Sequence, residues 1–477
     1  MSRRARRPLA VLCVFAVLPA VGLGALALVA HSKAENKPAS DPVTTDSTIP
    51  LPTLGAPLLS VRRAPAVLAA DVRADLLKTA AAPLLGAIDA GSCAAIGLDD
   101  HVITTVHPDL AVIPASNLKV VVAAVALDVL GPAATFTTQI VGPAPVGGVI
   151  TGDVYLVGGG DPVLSQAWYT QVTPTHKRPP LHVTSAESLA DALVAAGVTT
   201  INGRLVGDGS RYDAETYPPG WGADIRGVAD GAPVGALVLD DSISQAGVIS
   251  KEPAAFAAKG FAALLKTKGV AISGGSTTGA APPGLRVLAS VKSAPLTDLV
   301  NEMLATSDNL TAEMLVKEIG KSVSGKASRV DGLAAITQRL AAWGVPTTGV
   351  QLTDGSGLSR DNLLTCATLM AVVIRGSATD ALGAALARGG QAGSTLADYF
   401  GKAGLAGVVQ GKTGSLKDVK SLSGYFVADG DEIEFVVILN GPSAAAFTSV
   451  WDKLGAALLA AAASPAAVGL APVAVVS

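Results

Sequence analysis

The rhythm of apolar and polar positions changes several times along this chain, and the changes divide it. Leu9 to Ala30 is almost unbroken apolar sequence, headed by Arg3, Arg4, Arg6 and Arg7. A cationic head on an apolar run is the pattern of an export signal. Pro19, Gly22 and Gly24 interrupt it, and Ala25-Leu26-Ala27 offers small residues for cleavage. The run is almost long enough to span a bilayer, so an uncleaved N-terminal anchor is the alternative. Both readings place the rest of the chain outside the cytoplasm. Residues 31–65 are rich in Pro, Ser and Thr and read as a linker.

Beyond Pro65, Val72, Leu76 and Leu77 predict a helix around Ala69–Thr79. Cys93–Leu98 and His101–Val106 read as a hairpin turning at Asp99-Asp100. Pro114 precedes an apolar helix from Ser116 to Leu130. From Gly131 to Ser293 short strand-like runs (Thr135–Val141, Val154–Val157, Ile201–Val206, Ala236–Leu239, Arg286–Ser290) alternate with Gly/Pro turns. A helix opened by a Thr184/Glu187 capping box and another at Pro253–Lys266 interrupt them. Helices follow at Leu296–Ala305, Thr311–Ile319, Val330–Trp343 and Leu363–Ile374. Two strands (Ser421–Ala428, Glu434–Leu439) and an Ala-rich helix, 444–462, finish the chain. This is a mixed α/β (α+β) pattern: a body of residues 66–130 and 294–477, interrupted by a mixed α/β insertion, 131–293.

Composition supports a globular body of more than one domain: 477 residues, 49% apolar, 15% charged, with 52 glycines. A net charge of −3 without an extended basic run argues against a nucleic-acid partner. Any membrane contact would run through the N-terminal segment. Five scattered histidines without an H-E-x-x-H pattern give no metal site, and no cofactor motif stands out. Cys13 lies in the leader. Cys93 and Cys366 remain, either as a disulfide or as two small buried thiols.

Three short motifs carry chemistry. In Ser116-Asn117-Leu118-Lys119, residues three apart share a helix face, so the lysine amine can take the serine proton. Alone this pattern is weak, and an ordinary helix cap explains it equally well. Ser307-Asp308-Asn309, at the junction of two helices, can aim a hydroxyl and an amide into one cleft; the competing explanation is an N-cap. Lys412-Thr413-Gly414-Ser415 offers a cation and two hydroxyls for a carboxylate, with a glycine for close approach. Its rival is a phosphate loop, but Ala406 stands where that motif needs glycine.

Ser-x-x-Lys, Ser-x-Asn and Lys-Thr-Gly in this order are the signatures of penicillin-recognising serine enzymes. Pro114–Lys119, Gly159–Pro162, Asp354–Arg360 and Ser421–Tyr425 narrow the match. The chain resembles the D-alanyl-D-alanine carboxypeptidase/endopeptidase family, the class C, type-four low-molecular-mass penicillin-binding proteins, which also insert extra domains between the first two motifs. The resemblance implies a transpeptidase-like fold, an antiparallel sheet with covering helices plus a helical subdomain. It implies an exported enzyme of the cell envelope acting on peptidoglycan peptides that end in D-Ala-D-Ala, with β-lactam antibiotics as covalent inhibitors. It further implies Ser116 as nucleophile, Lys119 as base, Ser307 as proton relay and Asn309 as substrate holder. Lys412 would set the field, Thr413, Gly414 and Ser415 would line the carboxylate site, and Arg360 would help a pocket for an acidic side chain. A serine β-lactamase shares the signatures, and a non-catalytic scaffold retaining the fold is a further alternative.

Overall fold

A computed structural model describes residues 64–171, 180–428 and 431–463; the leader, most of the linker and Cys13 lie outside the described residues. A six-stranded antiparallel sheet forms the centre. Its first two strands, β1 (Cys93–Leu98) and β2 (His101–Val106), precede the insertion. The turn between them places Asp99 and Asp100 both at positive φ, the geometry the Asp-Asp pair predicts. The other four, β13 (Ala387–Arg388), β14 (Val409–Leu416), β15 (Val419–Ala428) and β16 (Asp431–Asn440), follow it, giving the order β13-β14-β15-β16-β1-β2.

Side-chain alternation along β16 shows how the sheet is covered. Ile433, Phe435, Val437 and Leu439 pack with Leu77, Ala81 and Leu84 of α1 (Ala64–Leu85) and with Trp451, Leu454 and Leu458 of a C-terminal helix, Phe447–Ala462. Val436 and Ile438 point the other way. They meet Val121 and Val125 of α2 (Leu118–Leu130) and Met370 and Val373 of a helix at Cys366–Arg375. A strand apolar on both faces is what a helix–sheet–helix sandwich requires, and each fully buried side chain contributes about 1.5–3 kcal/mol. Cys93 of β1 is disulfide-bonded to Cys366, with Cα atoms 5.9 Å apart. The bond ties the sheet to the helix beneath it.

The excursion between α2 and residue 296 leaves and returns through one ladder: β3 (Thr137–Gly142) pairs antiparallel with β12 (Arg286–Lys292), Thr137 opposite Lys292. Its core of Ile140, Leu156, Leu189, Phe261 and Leu265 is separate from those of the central sandwich. Helix α3 (Ala186–Ala195) starts one residue later than its capping-box pattern predicts. Thr184 is held in a two-residue ladder with Leu164, so Ser185 becomes the cap and accepts the Ser188 N–H at 3.0 Å. The expected strand Ile201–Val206 is two strands, Thr200–Asn202 and Leu205–Asp208, broken at Gly203. Ala236–Leu239 is no strand. Leu237 and Leu239 enter the insertion core while Ala236 and Val238 pack against Leu310 and Met314, so the alternation comes from two cores rather than from a ladder.

After helix α4 (Pro253–Thr267), α5 (Leu296–Thr306), α6 (Asn309–Ser324) and α7 (Arg329–Ala342) form the helical part beside α2. The helix expected at Leu363, α8, starts at Cys366, because Leu363 and Leu364 are taken by β-bridges and Thr365 caps it through the Thr368 N–H. The C-terminal helix Phe447–Ala462 is α9. Among the described residues no helix is long and apolar enough to cross a membrane.

Candidate active site

The nucleophile candidate does not sit within α2, as the sequence pattern predicts, but in the 3-10 turn Ala115–Asn117 that precedes it. Three hydrogen bonds hold that turn. Asn117, fully buried, donates to the Ser421 hydroxyl at 2.7 Å and accepts from the Ser423 hydroxyl, while Ser421 donates to the Pro114 carbonyl at 2.7 Å. Gly414 on β14 faces the same turn: a Cβ there would lie 2.2 Å from Ser421 Oγ and 3.0 Å from both Pro114 O and Ser116 N. Only a glycine lets the strand approach so closely. From the opposite side Gly357, at φ +81, lies where a side chain would meet the Ala115 carbonyl at 2.0 Å.

Lys119 lies in the first turn of α2 and is buried completely. Its Nζ donates to Ser116 Oγ at 3.1 Å, to Asn309 Oδ1 at 2.6 Å and to the Ser356 carbonyl at 2.6 Å. Burial pushes the ammonium down from 10.5 to about 8, against the carboxylates of Asp308, Asp354, Glu313 and Asp230, which pull it up. Between α5 and α6, Ser307 takes a left-handed conformation at φ +68, and Asp308 caps α6 through the Thr311 N–H. The capping explanation therefore accounts for Asp308, leaving Ser307 and Asn309 to line the cleft. Lys412 is also fully buried, and donates to Ser307 Oγ at 2.9 Å and to the Thr413 carbonyl at 2.6 Å.

Lys412 and its neighbours lie in strand β14, not in a loop before a helix, which removes the phosphate-loop alternative. Strand β13 pairs with β14 only at Gln410 and Gly411. Beyond them Thr413, Gly414 and Ser415 form one wall of a cleft of 310 Å³ that also holds Ser116, Ser307 and Asn309. All three sequence motifs thus meet in one cleft or directly behind it. Arg360 is not among the residues that line this cleft; its guanidinium donates to the Lys417 carbonyl at 2.8 Å.

Sequence reading missed the support behind these groups. Glu313 of α6, buried, accepts the Gly355 and Ser356 N–H groups, the latter at 2.7 Å, and so holds the carbonyl that Lys119 uses. Burial, and then the charge of Asp354, pushes its carboxyl up to about 7. Asp354 accepts the Gly357 and Ser359 N–H groups at 2.8 and 2.7 Å, the Asn362 amide at 2.7 Å and the Trp221 indole at 2.9 Å. Trp221 comes from the insertion, as does Asp230, whose carbonyl accepts from Asn309 Nδ2 at 2.8 Å. The quoted run Asp354–Arg360 was a signal for this loop, but nothing local marks Trp221 or Glu313.

A serine hydroxyl beside a buried amine, with a second serine–lysine pair across one cleft, is the arrangement of the penicillin-recognising serine enzymes. The sequence profile of the D-Ala-D-Ala carboxypeptidase 3 (S13) family matches residues 72–250 and 243–460. The chain is 32% identical over 364 residues to Carboxypeptidase DacB of Mycolicibacterium smegmatis, covering 72% of this chain and 75% of that one. It is 28% identical over 429 residues to the D-alanyl-D-alanine carboxypeptidase of an Actinomadura species, covering 72% and 76%. Its fold is similar to the crystal structure of penicillin binding protein 4 (dacB) from Haemophilus influenzae. The TM-score is 0.63 at 22% identity, over 76% of this chain and 93% of that one. The chain belongs to the D-Ala-D-Ala carboxypeptidase 3 (S13) family.

Proposed function

We propose that Ser116 attacks the carbonyl between the two D-alanines of a peptidoglycan stem peptide, with Lys119 as its base. The observation that carries the proposal is the buried Lys119 amine, 3.1 Å from Ser116 Oγ and with its pKa lowered to about 8. At pH 7 such a group is neutral in about a tenth of molecules. A neutral amine has two N–H bonds, which the Asn309 and Ser356 oxygens accept. Its lone pair is then left for the Ser116 hydroxyl.

Attack forms the Oγ–C bond and moves the serine proton to Lys119. The carbonyl oxygen becomes an oxyanion, for which the N–H groups of Ser116 and Ser415 are the donors in this reading. Collapse breaks the C–N bond, and the leaving nitrogen takes a proton from Ser307, which recovers one from the Lys119 ammonium, so that the proton first taken from Ser116 ends on the leaving amine. Because Lys412 donates to Ser307 Oγ, the Ser307 hydrogen is free to point toward that nitrogen, and the cation offsets the charge left behind. Thr413 and Ser415 bind the terminal carboxylate and Asn309 holds the acyl side. Water then hydrolyses the Ser116 ester, returning the proton to the serine. A β-lactam acylates Ser116 by the same attack, opening its ring in place of the peptide bond.

The leader reads as an export signal, and the disulfide Cys93–Cys366 supports an oxidising compartment outside the cytoplasmic membrane. The test is labelling with a fluorescent penicillin together with D-alanine release from a pentapeptide. Stable label that disappears in Ser116→Ala is the expected result. Rapid penicillin turnover without stable label would instead make the protein a serine β-lactamase.

A further inference from the structure

Two serine hydroxyls of the cleft each lie against a lysine, Ser116 against Lys119 and Ser307 against Lys412. A third such pair stands one strand further on. Ser415 of β14 and Lys420 of β15 are opposite each other in the strand register, and both line the cleft. The Lys420 ammonium donates to Ser415 Oγ and lies 4.8 Å above the Phe447 ring. Phe447 packs edge-on against Tyr399 and Trp451, with ring centroids 6.0 and 6.1 Å away, and all three rings line the same cleft. Among the described residues no carboxylate forms an ion pair with Lys420.

We infer that Lys420 is a substrate-binding residue that reads the charge of the leaving group, so that the enzyme favours a free carboxylate there over a neutral group. The inference rests on the DD-peptidase reading above, which puts the leaving group's carboxylate at Thr413 and Ser415. Two hydroxyls alone separate a carboxylate from an amide poorly, because both offer an acceptor oxygen. A cation separates them by charge. Lys119 and Lys412 are buried completely and are occupied with Ser116, Asn309 and the Ser356 carbonyl, and with Ser307 and the Thr413 carbonyl. Lys420 is half-buried, and its ammonium has N–H bonds to give beyond the one that Ser415 accepts. Donation to Ser415 Oγ also leaves the Ser415 hydrogen free to point at the substrate. The Phe447 ring holds the ammonium in place before substrate arrives, so less side-chain freedom is lost on binding.

The experiment uses two thioesters with the same acyl-D-alanyl part, one releasing mercaptoacetate and the other mercaptoacetamide. Thioesters are activated acyl donors, so both are cleaved, and only one leaving group is charged. Thiol release is followed per penicillin-titrated enzyme. Wild type should favour the mercaptoacetate ester. Lys420→Gln should lower kcat/KM for that ester about tenfold and leave the mercaptoacetamide ester within about twofold of wild type. Lys420→Arg keeps the cation and should keep most of the preference. Equal loss on both esters in Lys420→Gln marks a structural role and overturns the inference. A preference that survives in Lys420→Gln, or that vanishes in Lys420→Arg as fully as in Lys420→Gln, overturns it as well, and so does a wild type without any preference. A wild type that neither retains penicillin nor cleaves either ester is a different result: the DD-peptidase reading itself then falls, and the inference with it.

Discussion

Asp308 and Lys119 are coupled through charge although no hydrogen bond joins them: among the carboxylates that hold the Lys119 pKa up, Asp308 acts most strongly. Asp308 is also the cap of α6, accepting the Thr311 N–H. Asparagine caps a helix about as well as aspartate, so Asp308→Asn removes the charge and keeps the fold. In the proposed mechanism the acylating form has Lys119 neutral. Acylation by penicillin therefore rises with pH up to about 8 in the wild type and levels off above it. In Asp308→Asn that rise shifts to lower pH, and the variant is faster than wild type near neutrality. A limb that stays in place would remove Lys119 as the titrating base.

Gly414→Ala tests the approach of β14 to the nucleophile turn. The new methyl has Ser421 Oγ at 2.2 Å and two backbone atoms of the turn at 3.0 Å, so strand and turn must separate. Acylation is expected to fall by about a hundredfold, since small misplacements of a reacting group cost on that order. Thermal melting should change far less, because the sheet cores on either side are untouched. Stopped-flow acylation beside a melting curve reads both, and near-normal acylation would show that the close approach has no catalytic value.

These contacts mark how far the sequence could be read. The hairpin at Asp99-Asp100 and the strands of the final meander were legible because local propensity and the sheet pattern agree there. The three motifs were legible as motifs, and their meeting in one cleft follows from the family resemblance more than from any spacing. Ser116 was expected inside a helix because the apolar run begins beside it. The left-handed Ala115, φ +48, which sets the 3-10 turn, carries no sequence mark. Trp221 and Asp354 lie 133 positions apart, and Glu313 reaches Gly355 across 42. Such pairings are fixed by tertiary packing, so neither residue type nor neighbours announce them. Ala236–Leu239 failed for the same reason: two separate cores imposed the alternation of a strand on a segment that pairs with none.

Replacing Cys93 and Cys366 together by serine should lower the melting temperature of the enzyme by releasing a loop of 273 residues. The loss is about 2–4 kcal/mol on the usual scale for disulfides. Neither cysteine lines the cleft, so enzyme that remains folded should bind penicillin with wild-type stoichiometry. Melting with and without reductant gives the check: wild type should shift and the double variant should not.

Trp221→Phe asks whether the insertion supports the site. The ring packing survives this change, while the indole N–H that Asp354 accepts at 2.9 Å is lost. A hydrogen bond to a charged group is worth about 1.5–3 kcal/mol, and here the carboxylate left under-satisfied is buried completely. Asp354 also orients the N–H groups of Gly357 and Ser359, in the loop whose Ser356 carbonyl accepts from Lys119. Weakening the anchor should therefore lower stability and slow acylation together. If melting falls while the acylation rate holds, Trp221 is a packing residue alone. If both fall, and Trp221→Ala lowers them further, the inserted segment helps to position the Lys119 amine.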